Sequence, residues 1–68
     1  MQGNLIDRMA QLALQHPDMD VNVIYDMLMR SASDAEIQLL SVWQALLMDV
    51  AQEARHAPKD IQAIIQNS

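Results

Sequence analysis

The sequence predicts an all-α fold, a small bundle of three to four helices, and three observations support this prediction. Residues with high helix propensity, chiefly Ala, Leu, Met and Gln, dominate the chain. The two prolines, Pro17 and Pro58, stand between apolar segments rather than within them. Ser33 and Glu36 match the S-x-x-E capping box that marks a helix start. The predicted single domain covers residues 1–68, with helices at about 4–15, 20–30, 34–56 and 58–66.

The first predicted helix begins after Asn4, whose side-chain oxygen can accept a hydrogen bond from a backbone N–H of the first turn. Leu5, Met9 and Leu12 recur at helical spacing and form its apolar face. Pro17 ends this helix, because proline lacks the N–H of a helical hydrogen bond and disfavours the helical conformation in the residue before it.

The second predicted helix is apolar around much of its circumference. Either Asp18 or Asp20 serves as its N-cap. Val21, Ile24 and Leu28 lie on one face, and apolar side chains also occur away from that face. Such a distribution predicts contacts on more than one side of the helix. The apolar side chains outside the main face are Val23, Tyr25 and Met29.

The third predicted helix, residues 34–56, is the longest, at about 33 Å for a rise of 1.5 Å per residue. It carries two neighbouring apolar stripes, and their combined width exceeds what one partner helix requires. We therefore expect one side to pack on the chain's own helices and the other on a second copy. The sequence leaves open which stripe faces the second copy. The stripes are Leu39, Trp43, Leu46 and Val50, and Leu40, Leu47 and Ala54.

The fourth predicted helix is short. Pro58 suits its first turn, where a missing N–H costs little. Ile61, Ile64 and Ile65 form its apolar edge. The last ten residues, KDIQAIIQNS, resemble the C-terminal tail of type III secretion needle subunits. Those subunits are single helical hairpins, whereas this chain is broken at two further places, so the resemblance implies only a possible role as a subunit of a secretion apparatus.

Charge and composition exclude several classes of function. The net charge is −5, and the four basic residues are spread along the chain, whereas binding of nucleic acid requires clustered Lys and Arg. An anionic membrane surface is disfavoured for the same reason. The absence of Cys excludes disulfides and zinc fingers and leans towards the cytoplasm. We expect no nucleic-acid partner and no membrane association.

No pattern of residues predicts catalysis or a cofactor. Asp18, Asp20 and Asn22 alternate like the start of an EF-hand loop, but Val23 and Met29 occupy the positions that need Gly and Glu. These acidic residues are better explained as helix caps. His16 and His56 show no metal-ligand spacing, and no nucleophile stands in a recognisable pattern beside a base. We therefore expect neither enzyme activity, nor a metal, nor a cofactor.

The most favoured function is protein binding. An apolar chain of this size without disulfides or metals needs additional burial, and a homodimer with a shared core and a central third helix would supply it. The chain is then a small acidic regulator, adaptor or inhibitor of the kind found among phage and bacterial proteins, an inference by analogy. The alternative is a small structural subunit or chaperone of a larger assembly. Predicted self-association residues are Leu39, Trp43, Leu46, Leu47 and Val50. Predicted partner-binding residues are Met29, Arg30, Met48 and Arg55.

Overall fold

A computed structural model describes residues 4–67, which omits both ends of the predicted domain. Within this range the chain forms four α-helices and no β-strand, as the sequence predicts. The Cα trace measures 33 × 27 × 16 Å, and its smallest dimension corresponds to the thickness of two packed layers of helices. The helices are α1 (Leu5–Gln15), α2 (Val21–Ser31), α3 (Asp34–His56) and α4 (Lys59–Gln66).

Side-chain caps explain where the first three helices begin. The Asn4 carboxamide oxygen accepts from the backbone N–H of Asp7 at 2.9 Å. Of the two candidate caps of α2, Asp20 is the one that accepts a first-turn N–H, at 2.8 Å. The capping box of α3 is complete: Glu36 N–H donates to Ser33 Oγ at 3.3 Å, and Ser33 N–H donates to the Glu36 carboxylate at 3.0 Å. Local chemistry therefore sets these helix starts.

The core lies where α1, α2 and α3 meet. The stripe of α3 that points into this core contains Leu40, Leu47 and Ala54. This stripe therefore packs within the chain. Deletion of one such buried leucine side chain costs a core about 2–5 kcal/mol, so this stripe supplies much of the fold's stability. The largest fully buried side chains are Met9, Ile24, Leu28, Leu40 and Leu47.

Tyr25 is buried, so the prediction that it lies outside the main apolar face of α2 is wrong. Its hydroxyl donates to the backbone carbonyl of Leu40 at 2.9 Å. The ring therefore fills space between α2 and α3 while its polar end is satisfied. The spacing carries this signal, because Val21, Ile24, Tyr25 and Leu28 follow the i, i+3, i+4, i+7 pattern of one helix face.

Two arginines tie α1 to the other helices. Arg8 forms an ion pair with Glu36 at 2.9 Å and donates to the Ser31 hydroxyl at 3.0 Å. At the other end of α1, the Arg55 guanidinium donates to the carbonyls of Ala13, at 3.1 Å, and His16. Those carbonyls belong to the last turn and cap of α1, where cations and donors are favoured.

Helix α4 packs on α1 but buries none of its residues. Pro58 stands at its N-cap, one residue outside the helix. The Gln62 amide nitrogen lies 3.1–3.2 Å from three carbonyl oxygens at the end of α3, those of Ala54, Arg55 and Ala57. Gln62 thus supplies donors to the carbonyls at the end of α3, of which that of Ala54 also accepts from the Ala57 N–H at 3.3 Å.

Candidate functional site

One side of α3 exposes a continuous row of large apolar side chains, which we name the α3 apolar face. Leu39 is 45% exposed, Val42 77% and Leu46 48%. Trp43 and Val50, on the edge nearer the core, are half-buried. Exposed apolar residues that occur singly are common, whereas several on one side of the same helix make that side a candidate interaction surface. The face consists of Leu39, Val42, Trp43, Leu46 and Val50.

Helix geometry explains why this face remains exposed. Successive residues of an α-helix are about 100° apart, so Leu39 and Leu46 lie to one side of the buried pair Leu40 and Leu47. Val42 lies farthest round the helix from the core and has the highest exposure. Since the molecule is only two helical layers thick, the chain's own helices do not extend round to this side.

The predicted self-association residues separate into two environments. Leu39, Trp43, Leu46 and Val50 belong to the α3 apolar face, whereas Leu47 is fully buried by its own chain. The sequence prediction omitted Val42, the most exposed member. Its signal was available, because Leu39, Val42 and Leu46 recur at spacings of three and four.

The predicted partner-binding residues also differ in their exposure. Met29 is 36% exposed, and Arg30 is exposed and pairs with Asp26 at 3.1 Å along α2. Met48 is half-buried and packs against the core. Arg55 is half-buried, and its guanidinium is engaged by the carbonyls of α1. Only the two residues on α2 are therefore displayed to a partner in this conformation.

A groove of about 300 Å³ lies between α1, α3 and α4. Its walls are apolar, and Asp7 and Glu53 add carboxylates to its lining. Val50 belongs both to this groove and to the α3 apolar face, so the two form one continuous surface. No pattern in the sequence indicates the groove, since three separate helices supply its walls. The apolar lining residues are Ile6, Ala10, Val50, Ala54 and Ile65.

Helix α4 adds a smaller exposed apolar edge. Ile61 is 45% exposed and Ile64 65%. The third isoleucine of the predicted edge, Ile65, is half-buried in the groove. The apolar side of α4 is therefore only partly covered by α1.

Among the titratable groups of the described residues, one has a clearly shifted pKa, and it is at the start of α3. The pKa of Glu36 is lowered, first by the hydrogen bond from the Ser33 backbone N–H and further by Arg8. This carboxylate holds the helix start and the contact with α1, so its role is structural. Within residues 4–67, no three His, Cys, Asp or Glu side chains come together as ligands for a metal ion. In the same range, no helix is both long enough and apolar enough to cross a membrane.

Comparison of the chain with protein-family models, with curated proteins and with solved structures finds no match.

Proposed function

We propose that this protein is a small homodimeric regulator or adaptor in the cytoplasm, which binds another protein and modulates or inhibits it without catalysis. The observation that carries the proposal is the α3 apolar face, with Leu39, Val42 and Leu46 between 45% and 77% exposed. Covering a whole leucine or valine side chain is worth about 1.5–3 kcal/mol, so exposure of three together favours association. The face is uncharged at all five positions, as the centre of a protein interface usually is.

In this proposal the homodimer forms around α3 as its central helix. Leu40 and Leu47 pack within each chain, and the α3 apolar face joins the two copies, so that the two cores become continuous. A two-fold dimer uses the same patch twice, and the commonest assemblies of soluble proteins are built in this way. The net charge of −5 then resides on the outer surfaces of the dimer.

The surfaces left outside the dimer would contact the target. Met29 and Arg30 are displayed on α2, and Ile61 and Ile64 on α4. Met29, Ile61 and Ile64 are apolar side chains on an acidic protein. This combination favours a target whose apolar patch is surrounded by basic residues. Flexible Met side chains also adapt to irregular surfaces.

The first test is the mass of the purified chain in solution, measured by light scattering after size exclusion, together with its circular dichroism. We expect a helical species of twice the chain mass. Leu46→Asp would place two charges in the seam and should give a helical monomer. A wild-type chain that remains monomeric at high micromolar concentration would contradict the dimer.

The alternative function is a structural subunit or chaperone of a larger assembly, such as a secretion apparatus. Helix α4 favours it, because its isoleucine edge is exposed and none of its residues is buried. The same solution measurement distinguishes the two functions. A regulator is expected to be a discrete, helical dimer by itself, whereas an assembly subunit is expected to polymerise or to remain incompletely folded without its partners.

A further inference from the structure

The groove between α1, α3 and α4 is built in the same way on two of its walls. Helix α1 contributes Ile6 and Ala10, which are four residues apart, and α3 contributes Val50 and Ala54 at the same spacing. Residues four apart are neighbours on a helix surface, so each pair lines the groove from one side of its helix. The two alanines are buried, whereas Ile6 and Val50 are half-buried and leave apolar surface open to a ligand.

Polar contacts hold α4 in place as the third wall. The Gln11 amide nitrogen donates to the backbone carbonyl of Ile65 at 3.1 Å, and Ile65 lines the groove. The Gln62 amide nitrogen lies 3.1–3.2 Å from three carbonyl oxygens at the end of α3. Since α4 buries none of its residues, these contacts shape the groove without enlarging the buried core.

Two exposed carboxylates give the groove a negative charge. Asp7 on α1 and Glu53 on α3 belong to its lining, which includes no Lys or Arg among the described residues. Within residues 4–67, neither carboxylate forms an ion pair. Two of the chain's arginines are engaged elsewhere, Arg8 with Glu36 and Arg55 with carbonyls of α1. A cation from outside the chain can therefore pair with both groove carboxylates.

We propose that this groove binds a segment of another protein in which an apolar side chain lies beside an Arg or Lys. The walls would cover the apolar side chain, and Asp7 and Glu53 would pair with the cation. A volume of about 300 Å³ is at the lower end of the range for ligand pockets and suits one or two side chains of a partner. This inference rests on the protein-binding part of the proposed function, specifies its site and partner chemistry, and does not require the homodimer.

Charge favours a foreign basic segment over a second copy as the occupant. The chain has a net charge of −5, and two copies that met groove to groove would bring the carboxylates of both together. Of the lining residues, only Val50 also belongs to the α3 apolar face. The rest of the groove therefore lies outside the proposed dimer seam.

Two synthetic amphipathic peptides test the proposal with the full chain. Both have about four helical turns with leucines along one face, and they carry either Arg or Glu at the positions beside the leucines. NMR shift changes of the isotopically labelled chain locate the contact, and fluorescence anisotropy of the labelled peptides measures the dissociation constant. We expect the Arg peptide to perturb Ile6, Val50 and Ile65 and to bind at least about tenfold more tightly than the Glu peptide. This difference should shrink at high salt.

Variants matched in charge separate the groove from the general acidity of the chain. Asp7→Asn combined with Glu53→Gln removes both groove carboxylates and should weaken binding of the Arg peptide about 2- to 30-fold. Asp18→Asn combined with Asp34→Asn removes the same charge from exposed positions outside the groove and should change the affinity less than about twofold. Circular dichroism checks that each variant keeps the wild-type helix content.

Two neighbouring isoleucines of α4 test the apolar part of the site. Ile65 lines the groove, whereas Ile64 is 65% exposed and lies outside it. Ile65→Ala should weaken binding of the Arg peptide about three- to tenfold, and Ile64→Ala should change it little. Because α4 buries no residue, neither substitution is expected to unfold the core.

Each outcome supports or overturns the groove as the site. Shift changes at the groove, with weaker binding by the Asp7/Glu53 and Ile65 variants, support it. Equal binding of the Glu peptide, an equal loss in the charge control, or shift changes centred on the α3 apolar face overturn it while a protein-binding function stands. Shift changes at the groove that follow protein concentration without peptide would identify a second copy as the occupant and also overturn it. If the Arg peptide perturbs nothing at about 1 mM, the groove inference fails, and the mass measurement still decides the proposed homodimer.

Discussion

The neighbouring leucines 46 and 47 provide the sharpest test of the division between the core and the proposed dimer interface. They have the same chemistry, but Leu47 is fully buried and Leu46 is 48% exposed. Substitution of each by alanine should therefore damage different properties. Leu47→Ala should destabilise the fold, and Leu46→Ala should chiefly weaken self-association.

The structure gives the expected size of each effect. Removal of a fully buried leucine side chain costs about 2–5 kcal/mol of unfolding free energy, so Leu47→Ala should show a loss in this range. Burying a whole leucine is worth about 1.5–3 kcal/mol, and roughly half of Leu46 remains to be covered by a second copy. The substitution occurs twice in a dimer, so association should lose about 1.5–3 kcal/mol, a roughly 10- to 150-fold rise in the dissociation constant.

Sedimentation equilibrium at several concentrations measures dimer dissociation, and urea unfolding followed by circular dichroism measures the fold. Each substitution serves as the control for the other, since the volume removed is identical. The reasoning would be refuted if Leu46→Ala formed a dimer as tight as wild type. It would also be refuted if Leu47→Ala unfolded at the wild-type urea concentration.

Three further predictions concern the contacts that position α3. Tyr25→Phe removes the hydrogen bond to the Leu40 carbonyl and should cost about 0.5–1.5 kcal/mol in urea unfolding with the helix content unchanged; a wild-type midpoint would show that the bond contributes nothing. Ser33→Ala removes the N-cap acceptor and should cost about 1 kcal/mol, with Ser33→Thr as the conservative control that retains most of the stability. Glu36 has a lowered pKa when folded, chiefly because of the Ser33 backbone N–H and then Arg8, so its stabilisation is complete above its ordinary pKa and is lost as pH falls through the lowered value. The difference in melting temperature between wild type and Glu36→Gln should therefore be largest near neutral pH and shrink in acid, and a difference that is constant across this range would contradict the role assigned to the carboxylate.

The helix starts could be predicted from the sequence because they depend on contacts three or four residues apart. The Ser33–Glu36 box and the Asn4 cap are examples, and both are present. The choice between Asp18 and Asp20 remained open, since both carboxylates precede α2 closely enough to cap it. Only the course of the backbone after Pro17 decides in favour of Asp20.

Contacts between helices were less predictable. The sequence contains both apolar stripes of α3 but does not show which stripe packs against the chain's own helices. Leu46 and Leu47 are chemically identical, and only the structure shows that Leu47 is buried and Leu46 exposed. Tyr25 and Arg55 each reach a backbone carbonyl on another helix, and side-chain spacing carries no information about such acceptors. The groove beside Val50 depends on the relative placement of three helices and leaves no pattern in any one of them.

The sparse packing of α4 has a consequence for how the molecule opens. A helix of eight residues that buries none of them has contacts that include the half-buried Ile65 and the amide groups of Gln11 and Gln62. Its detachment exposes little apolar surface, so it should form the least stable unit of the fold. Amide protons of α4 are expected to exchange with deuterated solvent well before those of α3. Limited proteolysis should accordingly cut first near Pro58, releasing the C-terminal segment and leaving α1, α2 and α3 together.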